Sequence, residues 1–117
     1  MKENAVLDKS FAFALRIVSL YRHLSEEKKE FVLSKFVLNS GTLIGARVET
    51  SQNAADRNSF IYEMNSALVR ANETSYWLKL LYAGHYLTQD EFDSYLSDTN
   101  ELIGLLTKIV KTSKGIS

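Results

Sequence analysis

The sequence predicts an all-α fold, an antiparallel up-down-up-down four-helix bundle, and three observations carry that expectation. The 117 residues include no proline and only five glycines, where average usage would give about six prolines. Apolar residues make up 45% of the chain, enough for a packed core. They recur at alternating spacings of three and four through four long stretches, the period of a helix face. One domain across residues 1–117 is expected at this length. Short connections between the stretches favour antiparallel neighbours.

The first helix reads from about Asn4 to Leu24. Leu7, Phe11, Ala14, Val18 and Tyr21 form a heptad-like seam, with Val6, Phe13, Ile17, Leu20 and Leu24 as a second stripe beside it. The second helix reads from Ser25 to about Thr50, with Ser25 as N-cap and Glu26 and Glu27 at the positive end of the dipole. Leu33, Val37, Ser40, Ile44 and Val48 make one face. Val32, Phe36 and Leu43 make another, and Phe31, Leu38 and Gly45 a third, so burial on several sides is expected. Gly41 and Gly45 stand four apart inside this helix, where each costs about 1 kcal/mol against alanine. Close approach of a neighbouring backbone is the expected compensation. No strand precedes them and no G-x-G-x-x-G or Walker pattern surrounds them, so phosphate binding is rejected.

Residues 51–58 form the first loop, with Asp56 or Asn58 capping the third helix. That helix carries Ile61, Met64, Leu68, Ala71, Ser75, Leu78 and Tyr82 on one face. On the opposite side Tyr62, Val69 and Tyr76 repeat every seven residues, with Leu80 and Trp77 alongside. A second apolar stripe needs a second partner, so these five residues are a candidate oligomer interface. Gly84 suits a helix C-cap. Thr88-Gln89-Asp90-Glu91 is a capping box and opens the fourth helix. Its apolar face is Phe92, Leu96, Thr99, Ile103, Leu106 and Val110. Lys108, Lys111 and Lys114 complement the negative end of its dipole, and Gly115 ends it.

Taken in order, several segments resemble the bacterial four helix bundle protein family, also called the 23S rRNA intervening-sequence protein family. They are Lys9-Ser10-Phe11-Ala12, Leu24-Ser25-Glu26-Glu27, Ser40-Gly41-Thr42-Leu43-Ile44-Gly45-Ala46, Ala71-Asn72-Glu73-Thr74-Ser75-Tyr76-Trp77-Leu78 and Gly84-His85-Tyr86-Leu87-Thr88. The resemblance implies a four-helix bundle assembled into a ring-like homopentamer. Members can be encoded within insertions in large-subunit ribosomal RNA genes. A related protein is the accessory subunit of diversity-generating retroelements, which binds a reverse transcriptase and nucleic acid. Arg47 departs from the family pattern, which has asparagine there, and Thr50 stands in place of glutamate.

Composition narrows the function classes. With no cysteine, disulfides, thiolate chemistry and cysteine metal sites are excluded. The first nine residues lack the apolar region of a signal peptide, and no apolar run reaches the roughly 18 residues of a membrane span. A cytoplasmic protein with no membrane association and no cofactor is expected. His23 and His85 fall at the same end of the predicted bundle, but two histidines without a carboxylate motif make a weak metal site. Glu63, Glu73 and Glu101 lie on different helices without the Glu-x-x-His motifs of a di-metal bundle. Glu73 is expected to pair with a cation or a tyrosine. No catalytic triad spacing occurs, so no catalytic residue is assigned and the chain is read as non-enzymatic.

The basic residues carry the remaining signal. Net charge is zero, with 14 basic and 14 acidic side chains, which argues against strong general nucleic-acid binding. Yet Lys2, Lys9, Arg16 and His23 repeat every seven residues. The antiparallel model also gathers Lys2, Lys9, Arg47, Arg57, Lys108, Lys111 and Lys114 at one end, against Glu3, Asp8, Glu49 and Asp56. These cations, with Arg16, are candidate RNA or DNA contacts; the alternative is an ordinary solvated face. The reading is a homo-oligomeric assembly or adaptor, with a module that docks a partner protein through its apolar stripes as the alternative.

Overall fold

Four helices account for nearly all of residues 5–115, the part of the chain that the computed structural model describes. They are α1 (Ala5–Arg22), α2 (Leu33–Ser51), α3 (Arg57–Ala83) and α4 (Gln89–Ser113). Ser10 lies against Gly45 and Ile17 against Gly41, so α1 and α2 run antiparallel. Ser40 meets Thr74 and Arg47 meets Glu63, which sets α2 antiparallel to α3. Lys9 meets Glu101 and Arg16 meets Asp98, which sets α4 antiparallel to α1. The result is the expected up-down-up-down bundle, 44 Å long, with α1 and α3 on opposite corners.

The core follows one stripe per helix. In α1 it is Val6, Phe13, Ile17 and Leu20, continued by Leu24. Ser10 completes the helical spacing of that stripe and is buried, its hydroxyl satisfied by the Leu7 carbonyl at 3.1 Å. The Leu7–Phe11 seam is therefore the flank of α1, and Phe11 is 66% exposed. In α2 the buried stripe is Ser34, Val37, Ser40, Gly41, Ile44, Val48 and Ser51. The expectation that α2 is buried on several sides does not hold, because Phe31, Val32 and Phe36 remain about half exposed. In α3 the core residues are Met64, Ala67, Ala71, Thr74, Leu78 and Leu81; in α4 they are Thr99, Leu102, Leu106 and Val110.

The first connection departs from the sequence reading. Ser25 is no N-cap: its hydroxyl donates back to the Tyr21 carbonyl at 2.8 Å, and α1 runs on into a π-helical turn, His23–Glu27. Lys28 N–H closes that turn on the His23 carbonyl, and Lys29, at φ 57°, ends it. The carboxylate of Glu30 then caps α2, accepting from the amides of Val32, Leu33 and Ser34 at 3.3, 3.0 and 2.6 Å. A carboxylate on three free N–H groups answers both the orphan donors and the dipole at once.

The other boundaries follow local chemistry. Asp56, rather than Asn58, caps α3 through the Ser59 amide at 2.8 Å. The Thr88–Glu91 capping box is present in both directions. Gly84 caps α3 as expected, but the left-handed residue is the next one, His85, at φ 71°. The predicted helix start at Asn4 and the candidate contact Lys2 lie outside the described residues. Among the described residues no helix is long and apolar enough to cross a membrane.

Candidate interaction surfaces

Val69 stands two residues from Ala67 and from Ala71, both buried, and so points about 200° away from each around α3. Tyr76 stands in the same relation to Thr74 and Leu78. The stripe Tyr62, Val69, Tyr76 and Leu80 is therefore turned outward; its members are 71%, 44%, 56% and 36% exposed. Trp77 sits one step inward and is partly buried. It stacks on Phe36 of α2, ring centroids 4.9 Å apart, and meets Tyr76 edge-on at 5.1 Å.

These rings wall an open groove of about 640 Å³ between α2 and α3. Asn39 and Ser40 of α2 and Val69, Asn72 and Glu73 of α3 complete its lining. The hydroxyls of the lining residue Ser40 and of Thr74 behind it are hydrogen-bonded at 2.9 Å. Glu73 accepts from Arg70 at 2.7 Å within its own helix. An apolar groove with a few polar groups is a shape for binding. Of the predicted interface, Val69, Tyr76 and Trp77 share this groove, while Tyr62 and Leu80 extend the stripe beyond it.

Gly41 and Gly45 lie on the other flank of α2, in the seam with α1. A Cβ on Gly45 would fall 3.3 Å from the Ser10 carbonyl oxygen, and one on Gly41 only 2.8 Å from Ile17 Cγ1. Gly45 thus meets a neighbouring backbone, whereas at Gly41 the close neighbour is the Ile17 side chain. A smaller depression of about 270 Å³ beside them is lined by Leu7, Phe11, Ala14, Thr42, Gly45, Ala46 and Glu49. Beside it on α1, Leu15 is 57% exposed and stands two residues from buried Phe13 and Ile17. The exposed pair Phe11 and Leu15 is an apolar ridge that the heptad reading missed. The signal was Ser10: accepting a serine into the core stripe turns Phe11 and Leu15 outward.

The candidate basic contacts divide into two groups. Lys9 pairs with Glu101 at 3.0 Å, and Arg16 with Asp98 at 2.6 Å. Arg16 also donates to Ser94 Oγ and lies 4.2 Å above the Tyr95 ring. Burial raises the Tyr95 phenol above its ordinary value, and the Arg16 charge opposes that shift. Arg47 lies 3.5 Å from Glu63, its Nε buried and without a partner among the described residues. Glu63, Glu73 and Glu101 are thus each engaged by a cation on the protein itself. Arg57, Lys108, Lys111 and Lys114 pair with no acid among the described residues and share the end formed by the start of α3 and the close of α4. His23 and His85 do share the opposite end. His23 Nδ1 lies 3.4 Å from Glu27 Oε1 within the π-helical turn, and His85 is exposed.

Residues 2–108 match the family model of the 23S rRNA-intervening sequence protein. The chain belongs to that family. Among solved structures it is similar to a protein of unknown function from the S23 ribosomal protein family of Bacteroides thetaiotaomicron VPI-5482. The two chains are 49% identical with a TM-score of 0.93, over 95% of this chain and 99% of the other. No curated protein matches the sequence. Family and fold therefore agree with the resemblance read from the motifs.

Proposed function

We propose that this protein is a non-enzymatic, self-assembling helical bundle that serves as an assembly or adaptor. The observation that carries this reading is the outward apolar stripe of α3 with the aromatic groove beside it. Val69, Tyr76 and Leu80 contribute nothing to the bundle's own core, yet they share one outward face of a long helix. Burying such a stripe between subunits gains about 25 cal/mol per Å² of apolar surface. The homopentamer implied by the family resemblance is the expected product.

Native mass spectrometry of untagged protein tests this. The wild type is expected as a multimer, and Tyr76→Glu as smaller species with unchanged helical circular dichroism. A monomeric wild type would overturn the proposal and favour docking of a different protein on the same stripe.

A second reading, contact with RNA or DNA, is favoured by one observation: Arg57, Lys108, Lys111 and Lys114 lack acidic partners among the described residues. In a ring the same end of every subunit would add to one field. Lys111→Glu should then weaken binding of an RNA oligonucleotide at low salt, whereas Lys9→Gln should matter less. The affinity should fall steeply as salt rises. Absence of binding at low salt removes this reading.

A further inference from the structure

The groove between α2 and α3 has a lining chemistry of its own. Three of its eight lining residues are aromatic: Phe36, Tyr76 and Trp77. The ring centroids of Phe36 and Trp77 lie 4.9 Å apart and those of Trp77 and Tyr76 5.1 Å apart, so the rings make one continuous wall from α2 to α3. Phe36 is 46% exposed and Tyr76 56%, so the wall is accessible from solvent. Among the described lining residues Glu73 alone carries a charge, and that charge is negative.

Glu73 is not committed to the fold. Its Oε1 accepts from Arg70 at 2.7 Å, within the same helix, and Arg70 does not line the groove. The Arg70 and Glu73 side chains are 36% and 43% exposed, so water screens the pair, and an i,i+3 contact of this kind contributes little. A carboxylate has about four acceptor positions, and Arg70 takes one of them.

These features select a ligand by charge. An anion would be repelled by Glu73 across an apolar surface. An uncharged apolar molecule would fill the volume but offer the carboxylate nothing. A cation on an apolar body answers both parts of the lining: the ring faces and Glu73 attract the charge, and the body covers the aromatic wall. The amide carbonyls of Asn39 and Asn72 are further acceptors for an ammonium N–H. A volume of about 640 Å³ suits an organic molecule, not a bare metal ion.

We propose that this groove is a binding site for a small amphiphilic organic cation, an amine carried on an aromatic or alkyl body. The site lies within one subunit, so the inference goes beyond self-assembly and does not depend on it.

The test uses the full chain and three compounds that share a phenylbutyl body and differ in charge: phenylbutylamine, phenylbutanol and phenylbutyrate. Equilibrium dialysis measures binding, and Trp77 emission reports whether the groove is occupied. Light scattering on the same samples records the oligomeric state, so binding and assembly are read separately. The amine should bind about five- to ten-fold more tightly than the alcohol, and the acid least of all. Glu73→Gln should bring the amine to the affinity of the alcohol and leave the alcohol unchanged. Phe36→Ala should weaken both, with circular dichroism confirming that the helices persist. Equal affinity for amine and alcohol in the wild type would overturn the proposal. So would an amine preference that survives Glu73→Gln, or no binding of the amine. None of these results bears on the oligomeric state, which stands or falls on the light scattering.

Discussion

Gly41 of α2 rests directly on Ile17 of α1: a Cβ there would come 2.8 Å from Ile17 Cγ1 and 2.9 Å from Cγ2. Ile17 is fully buried, and a β-branched side chain has little rotameric freedom in a helix. The seam therefore has no room for one methyl group at that level. Gly41→Ala gains about 1 kcal/mol in helix propensity but forces overpacking that costs about 1–3 kcal/mol. A net loss of stability is expected in urea denaturation. At Gly45 the nearest atom, the Ser10 carbonyl oxygen, would be 3.3 Å away, tight but short of a clash, so Gly45→Ala should cost less than Gly41→Ala. In an Ile17→Ala background the penalty of Gly41→Ala should shrink or change sign, since the clashing atoms are gone. An equal penalty in both backgrounds would show that the glycine serves something other than this contact.

The glycine pair was legible in the sequence because its signal is local and its cost is large. The same holds for the Thr88–Glu91 box, where all participants lie within four residues. Ser25-Glu26-Glu27 looked equally good as a helix start and was not one. Leu24 belongs to the core stripe of α1, so burying it carries the helix through Ser25 into the π-helical turn, and the cap passes to Glu30. Packing of Leu24, outside the local cap signal, overrides it. The charge pattern is legible only in part. Lys9 and Arg47 are candidate contacts by charge alone, but each pairs with an acid on another helix, Glu101 and Glu63. No spacing rule joins Lys9 to a residue 92 positions away.

Arg47 and Glu63 form a shielded ion pair with imperfect geometry. Their side chains are 37% and 19% exposed, and the 3.5 Å separation is not a well-aligned hydrogen bond. Removing Arg47 leaves a mostly shielded carboxylate on Glu63, removing Glu63 leaves a half-shielded guanidinium, and removing both leaves neither. Arg47→Met and Glu63→Gln should each destabilise the fold by about 1–3 kcal/mol, the cost of an unsatisfied buried polar group. The double variant should lose clearly less than the sum. Thermal unfolding of the four proteins closes this cycle, and strict additivity would mean that the pair is not coupled.

Asp56 makes the start of α3 sensitive to acid. The Ser59 amide, then the Ser59 hydroxyl, hold its carboxyl below the ordinary aspartate range. A group whose folded value lies below its unfolded value adds stability above the unfolded value, and that stability is lost as pH falls through the folded one. Asp56→Ala should therefore have a lower melting temperature than wild type at neutral pH, and the difference should shrink as the solution is taken below about pH 4. Asn58→Ala should show no such pH-dependent difference. A gap between Asp56→Ala and wild type that stayed constant from neutral pH to pH 2 would assign the effect to something other than the charged cap.

Trp77 is the only tryptophan and sits in the groove wall, so its fluorescence reports what lies there. In the free bundle the indole is partly buried between Phe36 and Tyr76 on the protein side and faces solvent on the other. Docking of a second copy would exclude that solvent and shift the emission to shorter wavelength. Dilution through the dissociation range should shift it back to longer wavelength, with no change in helical circular dichroism. Val69→Glu, on the outward stripe beside the groove, should produce the same red shift at concentrations where the wild type is assembled. An unchanged spectrum on dilution of an assembled wild type would place the groove outside the interface.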